Sequence, residues 1–164
     1  MRNVIVTGSG QGIGYAIAQA FDKEGDRVFI FDMSKEVADK AAQSLNNGVA
    51  YQVDVTDEPT IEKSIKEITE QYGPIDVLVN NAGIQFISKV EDFPLEKWNQ
   101  VIGVIQTGTF LMTKHVLPSM KQQKKVVSLQ FHQHMVKWQT HSNQLTLLLN
   151  SLKLDLLKQS HLKL

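Results

Sequence analysis

The sequence contains no cysteine, so disulfide staples and thiolate metal sites are excluded. It has no surplus of either charge: 17 Lys plus Arg stand against 17 Asp plus Glu, and a pI near 7.0 argues against a surface built mainly for nucleic acid. No apolar stretch approaches the roughly 20 residues needed to span a bilayer. Met1-Arg2-Asn3 leads straight into Val4-Ile5-Val6 without the layout of a signal or transit peptide, so a cytoplasmic location is expected.

A second set of absences is local. From Val126 onward there is no Gly, Ala, Pro, Glu or Ile, whereas all 10 glycines lie between Gly8 and Gly108. Charge divides at the same place: residues 1–125 carry 13 basic and 16 acidic side chains, and residues 126–164 carry four Lys against Asp155 alone. Such different residue usage predicts a boundary near residue 125, with an aberrant tail over 126–164.

What the first portion does contain is ordered. Asn3-Val4-Ile5-Val6 is a β-branched run ending in Thr7-Gly8, the pattern of a buried strand entering a turn. Gly8-Ser9-Gly10-Gln11-Gly12-Ile13-Gly14 follows, and Tyr15 to Phe21 has helical spacing. Strand, glycine-rich turn and helix in that order is the context a dinucleotide site requires. Glycines permit the turn and let backbone N–H groups approach a pyrophosphate, and the helix dipole favours the anion. A glycine-rich connector without a ligand is the competing explanation, and the flanking pattern disfavours it.

A second strand, Arg27 to Phe31, ends at Asp32, about 20 residues beyond the turn, where a carboxylate accepts ribose hydroxyls and repels a 2′-phosphate. NAD is therefore expected over NADP; the alternative for Asp32 is the N-cap of the next helix, opened by Met33-Ser34-Lys35-Glu36. Gly48 to Val53 reads as a third strand, Glu58 to Tyr72 as a helix, Ile75 to Val79 as a fourth strand and Leu95 to Met120 as a long helical stretch. Alternating strands and helices predict a doubly wound parallel α/β sheet, Rossmann-like and incomplete at its C-terminal end. Asp32, Asp54-Val55 and Asn80-Asn81-Ala82-Gly83 join Thr7-Gly8 at strand carboxyl ends, where such sheets bind ligands.

Together these motifs resemble the short-chain dehydrogenase/reductase family over residues 1 to about 125. Asn81-Ala82-Gly83-Ile84-Gln85 followed by Val90-Glu91-Asp92-Phe93-Pro94-Leu95-Glu96-Lys97-Trp98 is similar to 3-hydroxybutyrate dehydrogenases, with sugar and diacetyl reductases sharing parts of the pattern. The resemblance implies NAD held by Gly8, Ser9, Gly10, Gln11, Gly12, Ile13, Gly14 and Asp32. It also implies Asp54 and Val55 near the adenine, Asn81, Ala82 and Gly83 along the ribose, and Gln85 on the carboxylate of a hydroxy acid or ketone substrate. Neither nucleic acid nor membrane is an expected partner, and the family's homo-oligomer contacts are expected to be disrupted.

The resemblance also implies a catalytic Ser-Tyr-Lys set assisted by an Asn, with Tyr as general acid/base. Ile105 stands where that Asn belongs. The tyrosines are Tyr15, Tyr51 and Tyr72, and none is followed four residues later by Lys. No catalytic residue is therefore assigned, and a non-catalytic NAD-binding or interaction protein is the rival function.

The genetic code suggests where the missing segment went. If each codon is regrouped as the last base of one residue's codon plus the first two of the next, Met135-Val136 forces Gly and Trp138-Gln139 forces Ala. The residues before them permit Ser-Ser-Ala-His-Gly, which resembles the hydroxybutyrate enzymes at their catalytic Ser. Codons spanning Leu145-Thr146 and Leu149-Asn150 permit Tyr and Lys in a Tyr-x-x-x-Lys, at the family's distance from the Ser. Lys124-Lys125, encoded by adenine-rich codons, is a natural site for a one-base loss. The tail from about 126 thus reads as a frameshifted remnant of a truncated catalytic segment. A genuine divergent tail is the alternative: Val126 to Phe131 as a fifth strand, then Leu145, Leu148, Leu149, Leu152 and Leu156 along an amphipathic helix, or disorder. His132, His134 and His141 lack carboxylate partners for a metal site, and none is assigned.

Overall fold

The computed structural model describes residues 1–122 and the strand segments 128–130, 136–139 and 144–147. Five strands, β1 (Asn3–Thr7), β2 (Arg27–Asp32), β3 (Gly48–Gln52), β4 (Val77–Asn80) and β5 (Ser128–Gln130), form a parallel sheet in the order β3-β2-β1-β4-β5. The helices are α1 (Gly12–Lys23), α2 (Lys35–Gln43), α3 (Glu58–Tyr72), α4 (Leu95–Ile102) and α5 (Gly108–Gln122). Strand order reverses between β1 and β4, the switch point at which sheets of this kind open a crevice.

Side-chain alternation along each strand assigns the two faces. Val4, Val6, Val28, Ile30, Val77 and Val79 pack with Ala18 of α1 and Ala38, Ala41 and Ala42 of α2. Ile5, Phe29, Phe31 and Leu78 point the other way and pack with Ile61, Ile65 and Ile68 of α3 and Leu111, Met112, Val116 and Met120 of α5. Alanines let α1 and α2 lie close to the sheet, whereas the α3 and α5 face is filled by large side chains. Both faces being covered explains why the strands read as unbroken apolar runs.

Several expected boundaries move. Helix α1 begins at Gly12 rather than Tyr15, with Gly12 itself entering the helix at a φ of 60°. Strand β3 stops at Gln52, and β4 runs from Val77 to Asn80 rather than from Ile75 to Val79. The single helical stretch over 95–120 is two α-helices joined by a π-helical turn, Gly103–Thr107. In the tail, Val136–Gln139 (β6) pairs antiparallel with Gln144–Leu147 (β7). Leu145, expected on a helix, is thus in a strand, where the alternation Gln144-Leu145-Thr146-Leu147 has the period of two that a ladder requires. Leu148, Leu149, Leu152, Leu156, His132, His134 and His141 lie outside the described residues. No helix among the described residues is long and apolar enough to cross a membrane.

At the opposite edge from the crevice, Arg2 locks the amino ends of β1 and β2. Its backbone N–H and Nε donate to Asp26 Oδ1 at 3.1 and 3.0 Å, and Nη2 donates to Oδ2 at 2.5 Å. Asp26 is 4% exposed. Hydrogen bonds from Arg2 hold its carboxyl below the ordinary range, against the opposing effect of burial.

The folded-state value being the lower one, this contribution is complete above the unfolded carboxylate range and disappears as pH falls through the folded value. Asp26→Asn is therefore expected to lower stability at pH 7 by roughly 1–2 kcal/mol, discounted because Arg2 is half exposed. Urea unfolding between pH 7 and pH 3 checks it: the variant should show the smaller loss on acidification.

Candidate functional site

Along the carboxyl edge, chemistry-bearing residues appear in sheet order: Asp54-Val55 after β3, Asp32 at the end of β2, Thr7-Gly8 after β1 and Asn81-Ala82-Gly83 after β4. Three strand intervals give a rim about 14 Å long. Everything assigned from sequence except Gln85 falls on this line.

The glycine-rich turn is held from below. Buried Ser9 donates its N–H to Phe31 O at 3.2 Å and its hydroxyl to Val6 O at 2.6 Å, so the turn is stitched to the ends of β1 and β2. Gly8 has φ of 61°, and Gly14 has no room for a side chain: a Cβ there would overlap Gly8 O and come within 2.5 Å of Asn81 Nδ2. Helix α1 then starts with Gln11 as N-cap and no side chain capping it. Its first-turn N–H groups, with the positive end of the helix dipole, are presented at the rim.

Asp32 adjoins this turn. Its Oδ2 accepts from Gly10 N–H at 3.1 Å and its Oδ1 from Ser34 N–H at 3.1 Å. A Cβ at Gly10 would come within 2.7 Å of that Oδ2, so only glycine lets the turn approach so closely. Each carboxylate oxygen keeps a further lone pair for a ligand. The N-cap of α2 is Ser34, whose side chain accepts from Val37 N–H at 3.4 Å, so the alternative role considered for Asp32 belongs to its neighbour.

Across the switch point, Thr7 does what sequence inspection missed. Its buried hydroxyl accepts from Asn81 N–H at 3.0 Å and Ala82 N–H at 2.9 Å and lies 3.4 Å from Val79 O, to which it donates. Asn81 Nδ2 returns the link, donating to Thr7 O and Gly8 O at 3.0 Å each. A lone hydroxyl residue closing a β-branched run was the available signal.

On the β3 side, Asp54 Oδ1 accepts from Thr56 N–H at 2.8 Å and Thr56 Oγ1 at 2.7 Å, while Val55 is buried. Gln85 and Ile84 are exposed on the connection between β4 and α4. That connection is braced by edge-to-face contacts of Phe93 with Phe86 at 5.3 Å and Trp98 at 6.4 Å. Ile105 falls inside the π-helical turn, where its carbonyl accepts from Thr109 Oγ1 at 2.7 Å.

The tyrosines have structural surroundings. Tyr15 shares a 2.6 Å hydrogen bond with Ser44, and the Tyr72 ring lies 4.8 Å from the Arg27 guanidinium carbon. Tyr51 packs against Phe29 and Phe31, and burial first, then Tyr72 and Glu67, pushes its phenol above the ordinary value. That shift is opposite to what a general base at neutral pH needs. Among the described residues no cluster of three His, Cys, Asp or Glu could hold a metal.

Comparison with known proteins gives a consistent set. Residues 2–129 match the family model for short chain dehydrogenase. The chain is 39% identical over 134 residues to 5-keto-D-gluconate 5-reductase of Escherichia coli, covering 78% of this chain and 53% of that protein. It is 34% identical over 127 residues to D-beta-hydroxybutyrate dehydrogenase of Rhizobium meliloti, covering 73% and 49%. NAD+-bound xylitol dehydrogenase superposes with a TM-score of 0.76 at 30% identity, over 79% of this chain and 52% of that one. The chain spans about half the length of the curated relatives it matches.

Thr7→Val keeps the shape of the side chain and removes the hydroxyl, leaving Asn81 and Ala82 N–H without their acceptor. A stability loss of roughly 1–3 kcal/mol is expected. Amide exchange should accelerate at Asn81 and Ala82 while the β2–β3 ladder stays protected; equal acceleration throughout the sheet would count against a local clasp.

Proposed function

The chain belongs to the short chain dehydrogenase family, and from that premise we propose that its carboxyl rim binds NAD, with the family's hydride chemistry absent from the 164-residue chain. The observation carrying the cofactor reading is the Gly10–Asp32 contact, which sets a ribose-accepting carboxylate directly beside the uncapped start of α1. Gly8 to Gly14 take the pyrophosphate, Asp32 the adenosine ribose, Asp54 and Val55 the adenine, and Asn81, Ala82 and Gly83 the second ribose. Bound NAD supplies a hydride acceptor; the residues named here bind and orient it. Exclusion of a 2′-phosphate follows from charge repulsion at Asp32.

Oxidising an alcohol also requires a group that takes the hydroxyl proton. Tyr15, Tyr51 and Tyr72 are followed four residues later by Gln19, Val55 and Asp76, and their side chains are engaged by Ser44, by Phe29 and Phe31, and by Arg27. We assign the tail from about residue 126 to a displaced reading frame of the segment carrying that machinery. The permitted Ser-Ala-His-Gly and Tyr-x-x-x-Lys at family spacing support this, as does the change of residue usage at the same boundary. For a chain with its frame restored, Gln85 beside Asn81-Ala82-Gly83-Ile84 supports a 3-hydroxybutyrate type of substrate. The 39% identity to 5-keto-D-gluconate 5-reductase supports a sugar-acid reductase as the second reading.

Calorimetric titration of the purified chain with NAD should show saturable binding, abolished by Gly12→Arg and weakened at least about tenfold by Asp32→Ala. No NADH should form from 3-hydroxybutyrate; NADH production that Gln85→Ala abolishes would overturn the inactivity. Sequencing the gene decides the frame: restoring one base in the Lys124-Lys125 codons must open Tyr-x-x-x-Lys downstream, and a stop or unrelated residues there would end the proposal.

A further inference from the structure

The break between α4 and α5 presses on the adenine side of the rim. After the π-helical turn Gly103–Thr107, Gly108 is buried against the loop that follows β3. A Cβ at Gly108 would lie 2.8 Å from Val55 Cγ2, 3.1 Å from Val55 Cβ and 3.2 Å from Val55 O. Rotating the valine moves only the first of these atoms. The other two follow the backbone, so any side chain at 108 displaces the loop itself. One turn earlier the fit is looser: a Cβ at Gly103 would meet only Thr56 Cγ2, at 3.8 Å, an ordinary contact.

The loop transmits such a displacement because it is internally tied. Asp54 Oδ1 accepts from both the N–H and the hydroxyl of Thr56, and Asp57 N–H donates to Asp54 O at 3.0 Å. Residues 54–57 therefore shift together, carrying the Asp54 carboxylate. Just before them, Val53 N–H donates to Asp32 O at 2.9 Å, which fixes the preceding residue to the end of β2. Movement of Val55 thus changes the position of the adenine-side loop relative to Asp32. The glycine-rich turn, on β1, is held by Ser9 and Thr7 and stays in place.

We propose that Gly108 is a positioning residue for the adenine end of the cofactor: its missing side chain sets the seat of the Asp54-Val55 loop beside Asp32. The assignment rests on the NAD-binding reading of the rim. Recognition of an adenosine by two adjacent strand ends depends on their separation, whereas pyrophosphate recognition by the turn does not. Substitution at 108 should therefore split the two halves of the ligand.

The test uses AMP and inorganic pyrophosphate as separate probes, alongside NAD, on the purified 164-residue chain. Gly108→Ala is expected to weaken AMP roughly tenfold and leave pyrophosphate unchanged. Gly103→Ala should alter neither. Retained pyrophosphate binding by Gly108→Ala reports an intact fold and turn. The proposal fails if folded Gly108→Ala binds AMP as the parent does, if both probes weaken together, or if Gly108→Ala does not fold, which would make the missing side chain a folding requirement alone. A parent chain that binds neither AMP nor NAD sinks the nucleotide reading as well, whereas a binding parent with an indifferent Gly108→Ala sinks only the role of Gly108.

Discussion

One hydroxyl group holds the crevice together. Parallel strands that end at a switch point leave backbone donors and acceptors with no ladder to join, and each unpaired buried group is costly. Thr7 Oγ1 accepts from the two N–H groups after β4 and donates to Val79 O, while Asn81 Nδ2 satisfies the carbonyls of Thr7 and Gly8. Because these bonds join β1 to β4, the glycine-rich turn and the Asn81-Ala82-Gly83 segment form a rigid pair. Gly14 then has to be glycine, since any side chain would strike Gly8 O and the Asn81 amide.

The rest of the rim follows from how the sheet is covered. Alanines under α1 and α2 bring those helices close to the strands, so α1 starts within reach of Asp32. Bulky residues under α3 and α5 separate those helices from the sheet, and α5 recovers contact with the rim through Gly108 after a local widening of the helix. Two glycines with different reasons thus frame the site: Gly10 admits a carboxylate, Gly108 admits a valine. The chemistry this arrangement supports is binding. A proton acceptor of suitable pKa is a separate requirement, and Tyr51, raised by its apolar surroundings, illustrates why a tyrosine in the core does not meet it.

Much of this was legible in the residues themselves. The limits of α3 over Glu58–Tyr72 were read directly, because its apolar period is regular and Gly73, with φ of 87°, ends it. The glycine-rich turn and Asp32 were legible because spacing along the chain sets their placement. The π-helical turn was not: Val104-Ile105-Gln106 has acceptable α-helical spacing, and the widening shows only in the folded backbone, where Gly108 just after it meets the loop following β3. Nor was the cap of α2: Asp32 was the candidate in sequence, whereas Ser34 caps the helix and Asp32 bonds Gly10, which approaches from another element.

The sequence by itself determined the alternation of strands and helices, the order of the rim motifs, the lack of a Tyr-x-x-x-Lys and the change of residue usage near residue 125. These follow from local pattern and from spacing, which the chain carries without folding. The tertiary structure decided that Thr7 is a clasp, that Asp32 is bonded to Gly10 and that Gly108 underlies Val55, with 75, 22 and 53 residues separating the partners. Contacts over such distances depend on which strands the sheet brings side by side, and no local pattern of residues encodes that.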